Sequence, residues 1–155
     1  VTVIDAGARV PPDTPYALRL TSTGGNGVVA SVLTAILNGG AIAGDGGTSF
    51  TSSRWYVVPG RVGTDPVDAV TVLAPRGSRV RWRADAVGVD PHRIASGRLA
   101  GGAVVRVPTD AVGALVVTAS GPIVVGRDSG ASPGVTMAMA VPVCPSPRDI
   151  GGTAC

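Results

Sequence analysis

Lysine, glutamate and glutamine are absent from this chain. All 13 residues counted as Lys or Arg are arginine, and all 10 acidic residues are aspartate. The three missing types usually furnish the solvent faces of helices, so little material remains for amphipathic helices. Aromatic residues are scarce as well: Tyr16, Phe50, Trp55, Tyr56 and Trp82. That argues against a broad stacking platform for sugars or bases, although Trp55-Tyr56 could form a small one. His92 is the only histidine, whereas zinc normally takes four N or S ligands. No metal and no cofactor are therefore expected. A net charge of +3 with dispersed arginines falls short of the dense basic face of a nucleic-acid binder, so no nucleic-acid partner is expected. No transmembrane segment is expected either, because the longest apolar run, Val28–Leu37, stops at Asn38-Gly39-Gly40, too short for a bilayer.

Only two cysteines are present, Cys144 and Cys155, bracketing the segment CPSPRDIGGTAC. Two cysteines closing one loop in an otherwise cysteine-free chain read as a disulfide made outside the cytosol; two unrelated thiols are the alternative. The chain opens at Val1, and no signal sequence is expected within it. It is expected to be a mature or excised ectodomain of a larger exported or membrane-anchored protein.

What is abundant is valine, threonine, glycine and proline, the material of strands and turns. At 155 residues the chain fits one domain. The stretch Ala103–Arg127, AVVRVPTDAVGALVVTASGPIVVGR, reads as three short strands separated by turns at Thr109–Gly113 and Ser120–Pro122. Strands this apolar need cover on both faces. Further strands are expected at Val1–Ala6, Tyr16–Ser22, Arg54–Pro59, Val67–Leu73, Arg79–Ala84 and Val135–Val143. Ala86–Arg98 is read as a short strand with a return loop. Ala74–Ser78 reads as a hairpin turn, with proline early and glycine late. Gly39–Ser53 and Asp128–Gly134 read as loops. Val28–Leu37 fits either a strand or one short helix. The predicted fold is all-β, an Ig-like β-sandwich of about nine to ten strands over residues 1–143, followed by a disulfide-closed tail over 144–155.

The second half resembles a group of actinobacterial exported proteins known only as a numbered domain of unknown function. The resemblance rests on RWYVVPG at 54–60, TVLAPRGSRVRW at 71–82, ALVVTASGPIVVGR at 114–127 and the closing AMAVPV at 138–143. It implies a β-rich, Ig-like build, export from a Gram-positive cell and association with the envelope. It implies no catalytic residue.

Several constellations suggest chemistry on paper. Asp128-Ser129-Gly130 matches the turn of aspartic proteases, but that chemistry needs two carboxylates sharing a proton and there is no second such turn. A strand-ending turn is the simpler reading. Gly130-Ala131-Ser132-Pro133-Gly134 matches G-x-S-x-G, which has meaning only as a strand–turn–helix elbow; the following VTMAMAVPV reads as a strand. His92 lies in Asp90-Pro91-His92-Arg93 and reads as a solvated loop residue.

The row Arg79, Arg81, Arg83 alternates with Val80 and Trp82. Period two places the guanidiniums on one face and Val80 and Trp82 on the other. Such a row could hold phosphate or carboxylate bidentately, or be a solvated face paired to aspartate on a neighbouring strand, for instance Asp68. Trp55 and Tyr56 point to opposite faces, one into the core and one outward. The expected function is a non-catalytic, envelope-associated interaction or scaffold domain outside the cytoplasmic membrane, with an envelope protein or cell-wall polymer as partner. The alternative is a module for cell-wall glycan or anionic polymer that uses Arg79, Arg81 and Arg83 with Trp55 or Tyr56. A hydrolase using Asp128 or Ser132 is the alternative from another class.

Overall fold

A computed structural model describes residues 4–11, 14, 16–21, 23–24, 31–36, 41–45, 47–48, 50–58, 67–88, 90–109, 113–131 and 134–143. Among them lie ten strands: β1 (Val32–Ile36), β2 (Ala41–Asp45), β3 (Ser52–Val57), β4 (Val67–Leu73), β5 (Val80–Val87), β6 (Arg93–Leu99), β7 (Val104–Pro108), β8 (Ala114–Ala131), β9 (Gly134–Met139) and β10 (Val141–Pro142). A 3₁₀ turn at Gly7–Arg9 precedes them. The protein is all-β, with no α-helix among the described residues. Among the described residues, β1 and β2 pair only with each other, from Val32 opposite Asp45 to Ile36 opposite Ala41, and β2 lies alongside β9. The remaining eight strands form one antiparallel sheet.

That sheet is assembled on β8. The strand runs through Ser120–Pro122, where the sequence predicts a reversal. Val116, Val117, Ile123, Val124 and Val125 are β-branched and favour extended backbone on both sides of that point. On one edge of β8, β5 pairs with residues 114–119 and β4 with 124–130. On the other, β3 pairs with 115–118 and, past a bulge, with Ile123, while β9 pairs with 126–131. Residues 120–122 mark where β5 hands over to β4. Pro122 has no N–H to donate to a ladder, so it fits an interval without a partner on that edge.

The same line is crossed by two connections. β4 and β5 do not form the hairpin predicted around Ala74–Ser78; they follow one another along β8. The turn itself is present, with the Ser78 N–H donating to the Pro75 carbonyl at 3.2 Å and Gly77 at φ +85°. Turn chemistry specifies local backbone, not whether the flanking strands pair. β7 and β6 likewise line up along β4 and β5, joined through a turn in which Ala103 N–H donates to Ala100 O at 3.0 Å. The two turns interlock: Gly102 N–H donates to Ala74 O at 2.8 Å and Ala74 N–H to Ala103 O at 3.1 Å.

The sheet thus has two wings meeting at this line. The first is β10-β3-β8-β5-β6, using the N-terminal part of β8; the second is β9-β8-β4-β7, using its C-terminal part. One continuous sheet stands where two separate sheets of an Ig-like sandwich were expected. Trp55, Val57, Trp82, Leu115 and Val117 of the first wing share a single buried cluster with Val70, Val72, Ile123 and Val125. Trp55 is fully buried, and its indole N–H reaches the carbonyls of Ser52 and Ile123, each at 3.0 Å. In the second wing, Arg127 and Asp68 are also turned inward. Arg127 Nε donates to Asp68 Oδ1 at 2.8 Å, a second donor, Nη2, reaches Asp68 Oδ2, and Nη1 donates to the Val58 carbonyl. Asp68 is therefore engaged by Arg127 and not by the arginine row of β5, because it shares the inner face of β4 with Val70 and Val72.

Elsewhere the sequence expectations divide. Of Val28–Leu37 the described residues are 31–36, and β1 makes 32–36 of them strand. Gly39–Ser53 contains β2 and the start of β3, and Asp128–Ala131 continues β8, so neither is simply a loop. No strand is found over residues 4–6 or 16–21. Tyr16, Leu18 and Leu20 are exposed: alternation selects a face, but a strand also needs a partner edge, and none pairs with these residues. Cys144, Cys155 and the whole expected tail lie outside the described residues, as does Ser132.

The interlocked turns leave no room at Gly101. A Cβ there would lie 2.7 Å from Gly77 N and Ser78 O, whereas at Gly126 the nearest atoms are 3.7 Å away. Gly101→Ala should lower stability by about 1–3 kcal/mol through overpacking. Gly126→Ala should be neutral or slightly stabilising through the unfolded chain. Urea unfolding midpoints measure both; equal losses would show that the two turns are not in contact.

Candidate anion-binding face

β5 has the alternation that its sequence predicts. Val80, Trp82, Ala84 and Ala86 are buried, while Arg81 and Arg83 are exposed on the opposite face. Arg79 is also exposed but precedes the strand. Trp82 packs over Gly97, its cross-strand partner on β6: a Cβ at Gly97 would come within 3.2 Å of the Trp82 indole nitrogen.

Strand register then brings residues from four strands onto the outer face of the first wing. Arg54 of β3 stands opposite Thr118 of β8, Thr118 opposite Arg83, and Arg83 opposite Ser96 of β6. At two strand spacings, Arg54 and Arg83 have backbones about 10 Å apart. One level to one side, Arg81 stands directly opposite Arg98, and Ser120 Oγ accepts the Arg81 backbone N–H at 3.0 Å. One level to the other, Val141, Tyr56, Val116, Asp85 and Arg93 follow one another across the sheet. An open depression of about 460 Å³ is lined by Arg81, Arg83, Arg93 and Arg98 with Ser96, Thr118 and Ser120.

The charges on this face are unevenly compensated. Asp85 Oδ2 lies 3.0 Å from Arg83 Nε, and Asp85 Oδ1 lies 3.7 Å from Arg93 Nε. Arg83 Nε also donates to Thr118 Oγ1 at 3.1 Å. Among the described residues, no carboxylate forms an ion pair with Arg54, Arg81 or Arg98. A second, smaller hollow of about 350 Å³ adjoins Asp85 and includes His92, whose Nδ1 lies 2.9 Å from the Asp90 carbonyl oxygen.

Of the aromatic pair, Trp55 is the core ring and Tyr56 the outward one, 41% exposed. Tyr56 therefore shares the face with Arg81 and Arg83, while Trp55 does not. Tyr56 sits with exposed Val58, Val141 and Val143 at the β3–β10 margin. Arg54, Arg93 and Arg98 escape a reading by short motifs because only long-range register brings them onto the same face as the arginines of β5. Their lone signal in the sequence is an arginine at an outward position of its own strand.

The remaining constellations sit elsewhere. Asp128 lies within β8, not in a strand-ending turn. Its Oδ2 is 3.6 Å from Arg106 Nε and accepts a 3.5 Å hydrogen bond from Thr71 Oγ1. Gly130 and Gly134 of the G-x-S-x-G string belong to β8 and β9, so a strand, not a helix, follows. No group of three or more His, Cys, Asp or Glu is placed to hold a metal among the described residues, and none of their helices is long and apolar enough to cross a membrane.

Burial separates the two faces of β5 energetically. Trp82→Ala should cost about 3–5 kcal/mol as a core truncation, while Arg81→Ala should stay within about 0.5 kcal/mol, as surface changes do. Chemical denaturation tests this; comparable losses would place Trp82 outside the core.

No family model matches the chain, and no curated protein matches it. Among solved structures, it is similar to the crystal structure of Thermotoga maritima 1070, with a TM-score of 0.46 and 9% identity over 62% of this chain and 97% of that one.

Proposed function

We propose that this protein is a non-catalytic interaction domain of an exported, envelope-associated protein, and that it binds an anionic polymer on the outer face of its first wing. The observation that carries the reading is the collection of Arg54, Arg81, Arg83, Arg93 and Arg98 on one face, with Asp85 as the carboxylate in ion-pair contact with them among the described residues. The face is open and extends over four strands, which suits an extended chain carrying several charges. Guanidinium forks bind carboxylates and phosphates bidentately. A neutral glycan is less well served, since Tyr56 is a single ring at the margin. A hydrolase built on Asp128 or Ser132 is not favoured: Asp128 is engaged by Arg106 and Thr71, and the serine string lacks the helix of a nucleophile elbow.

Fluorescence anisotropy with labelled polyphosphate, polyglutamate and a neutral glucan tests the reading. Both polyanions should bind at low salt and weaken as salt rises, because exposed charges are screened, and the glucan should not bind. Failure of both polyanions, or preference for the glucan, would overturn it.

A further inference from the structure

Resting on that reading, we infer that Arg81 and Arg98 form a two-guanidinium clamp for one tetrahedral oxyanion, so that the polymer's charged units are phosphate groups. The two residues are directly opposite on antiparallel strands, an arrangement that places their Cβ atoms about 4.5–5.5 Å apart. Like charges so placed destabilise a sheet. The neighbouring levels of the same face compensate: Asp85 serves Arg83 and Arg93, and Thr118 accepts from Arg83. At Arg81 and Arg98 no carboxylate does so among the described residues. The sheet therefore neutralises one end of the depression and leaves the other as an unneutralised pair.

The chemistry of the pair selects the ligand. One guanidinium fork already satisfies both oxygens of a carboxylate. A phosphate within a chain carries its two non-bridging oxygens on a tetrahedral phosphorus, out of the single plane that holds a carboxylate's substituents, so two forks from adjacent strands can each take one of them. Ser120 Oγ accepts the Arg81 N–H, which leaves its own O–H proton free to donate beside the clamp. The depression, about 460 Å³ and open to solvent, has room for a phosphate together with its neighbours along a chain. Trp82 is the one aromatic ring in its lining, and it is buried. Stacking surfaces that hold single-stranded nucleic acid are thus missing from the depression, and the polymer is assigned as a phosphate chain without bases.

Binding of labelled polyphosphate to the intact protein, measured for Arg81→Ser, Arg98→Ser, the double variant and, in the second wing, Arg106→Ser, tests the clamp. Each clamp variant should lose about tenfold or more in affinity, as expected for a charge-assisted bidentate contact. The double variant should lose less than the product of the two, because both groups serve one anion. Arg98→Lys should restore only part of the loss, and Arg106→Ser should change little. Without ligand, Arg81→Ser and Arg98→Ser should melt at or above the wild-type temperature, and polyphosphate should raise the melting temperature of wild type more than that of either variant. Unchanged affinity in the clamp variants overturns the clamp while leaving the anionic-polymer reading intact. Polyglutamate binding as tight as polyphosphate overturns the assignment to phosphate, and tighter binding of single-stranded DNA overturns the base-free polymer. Absence of binding to every polyanion overturns this inference and the reading beneath it together.

Discussion

β8 is hydrogen-bonded along both edges, and its partners change from β5 to β4 around Ser120–Pro122 on one edge and from β3 to β9 between Ile123 and Gly126 on the other. This sharing of one strand is the constraint on which the rest of the sheet depends. Because the strand stays extended through the change, its odd-numbered side chains keep facing the same way: Leu115 and Val117 before it, Ile123 and Val125 after it, all fully buried. The inner faces of both wings therefore contribute to one hydrophobic cluster. The outer face is set by the same parity, and it carries the arginines. A one-residue slip of β5 against β8 would exchange Trp82 for Arg81 and Arg83 in the core, so the packing that stabilises the fold also fixes where the charge goes.

Glycine and an ion pair make the junction between wings possible. Gly101 permits backbone contact between the turn that follows β4 and the turn that follows β6. The inward-facing Arg127 is paired with Asp68 and bonded to the Val58 carbonyl. A buried pair of this kind gains little net stability over a well-packed apolar one but is costly to break singly. Its value here is positional, since it ties β8 and β4 to the chain leaving β3.

Much of this architecture was legible in the residues. Val67–Leu73 is a strand with the bounds its β-branched residues predict, and the Val80/Trp82 alternation correctly assigns the two faces of β5. What local pattern cannot supply is pairing. Ala74–Ser78 is a turn in both readings, yet the strands it joins bond to β8 and not to each other. Ser120-Gly121-Pro122 has turn composition but marks a change of partners within one strand, and Gly121 there brings β8 close to Val80. The alternation Tyr16, Leu18, Leu20 had no partner edge, so no strand formed. The candidate face divided in the same way. Arg81 and Arg83 stood out in the sequence, and Tyr56 as one of a pair, but Arg98 enters through register alone, on the strand that follows β5.

The proposed binding surface is the outer face of the first wing. Backbone amide chemical shifts measured during titration with polyphosphate test this most directly. Perturbations concentrated at Arg81, Arg83, Ser96, Arg98, Thr118 and Ser120, with β4, β7 and β9 unaffected, are the predicted result. Perturbations concentrated in the second wing, around Arg106 and Asp128, would contradict it.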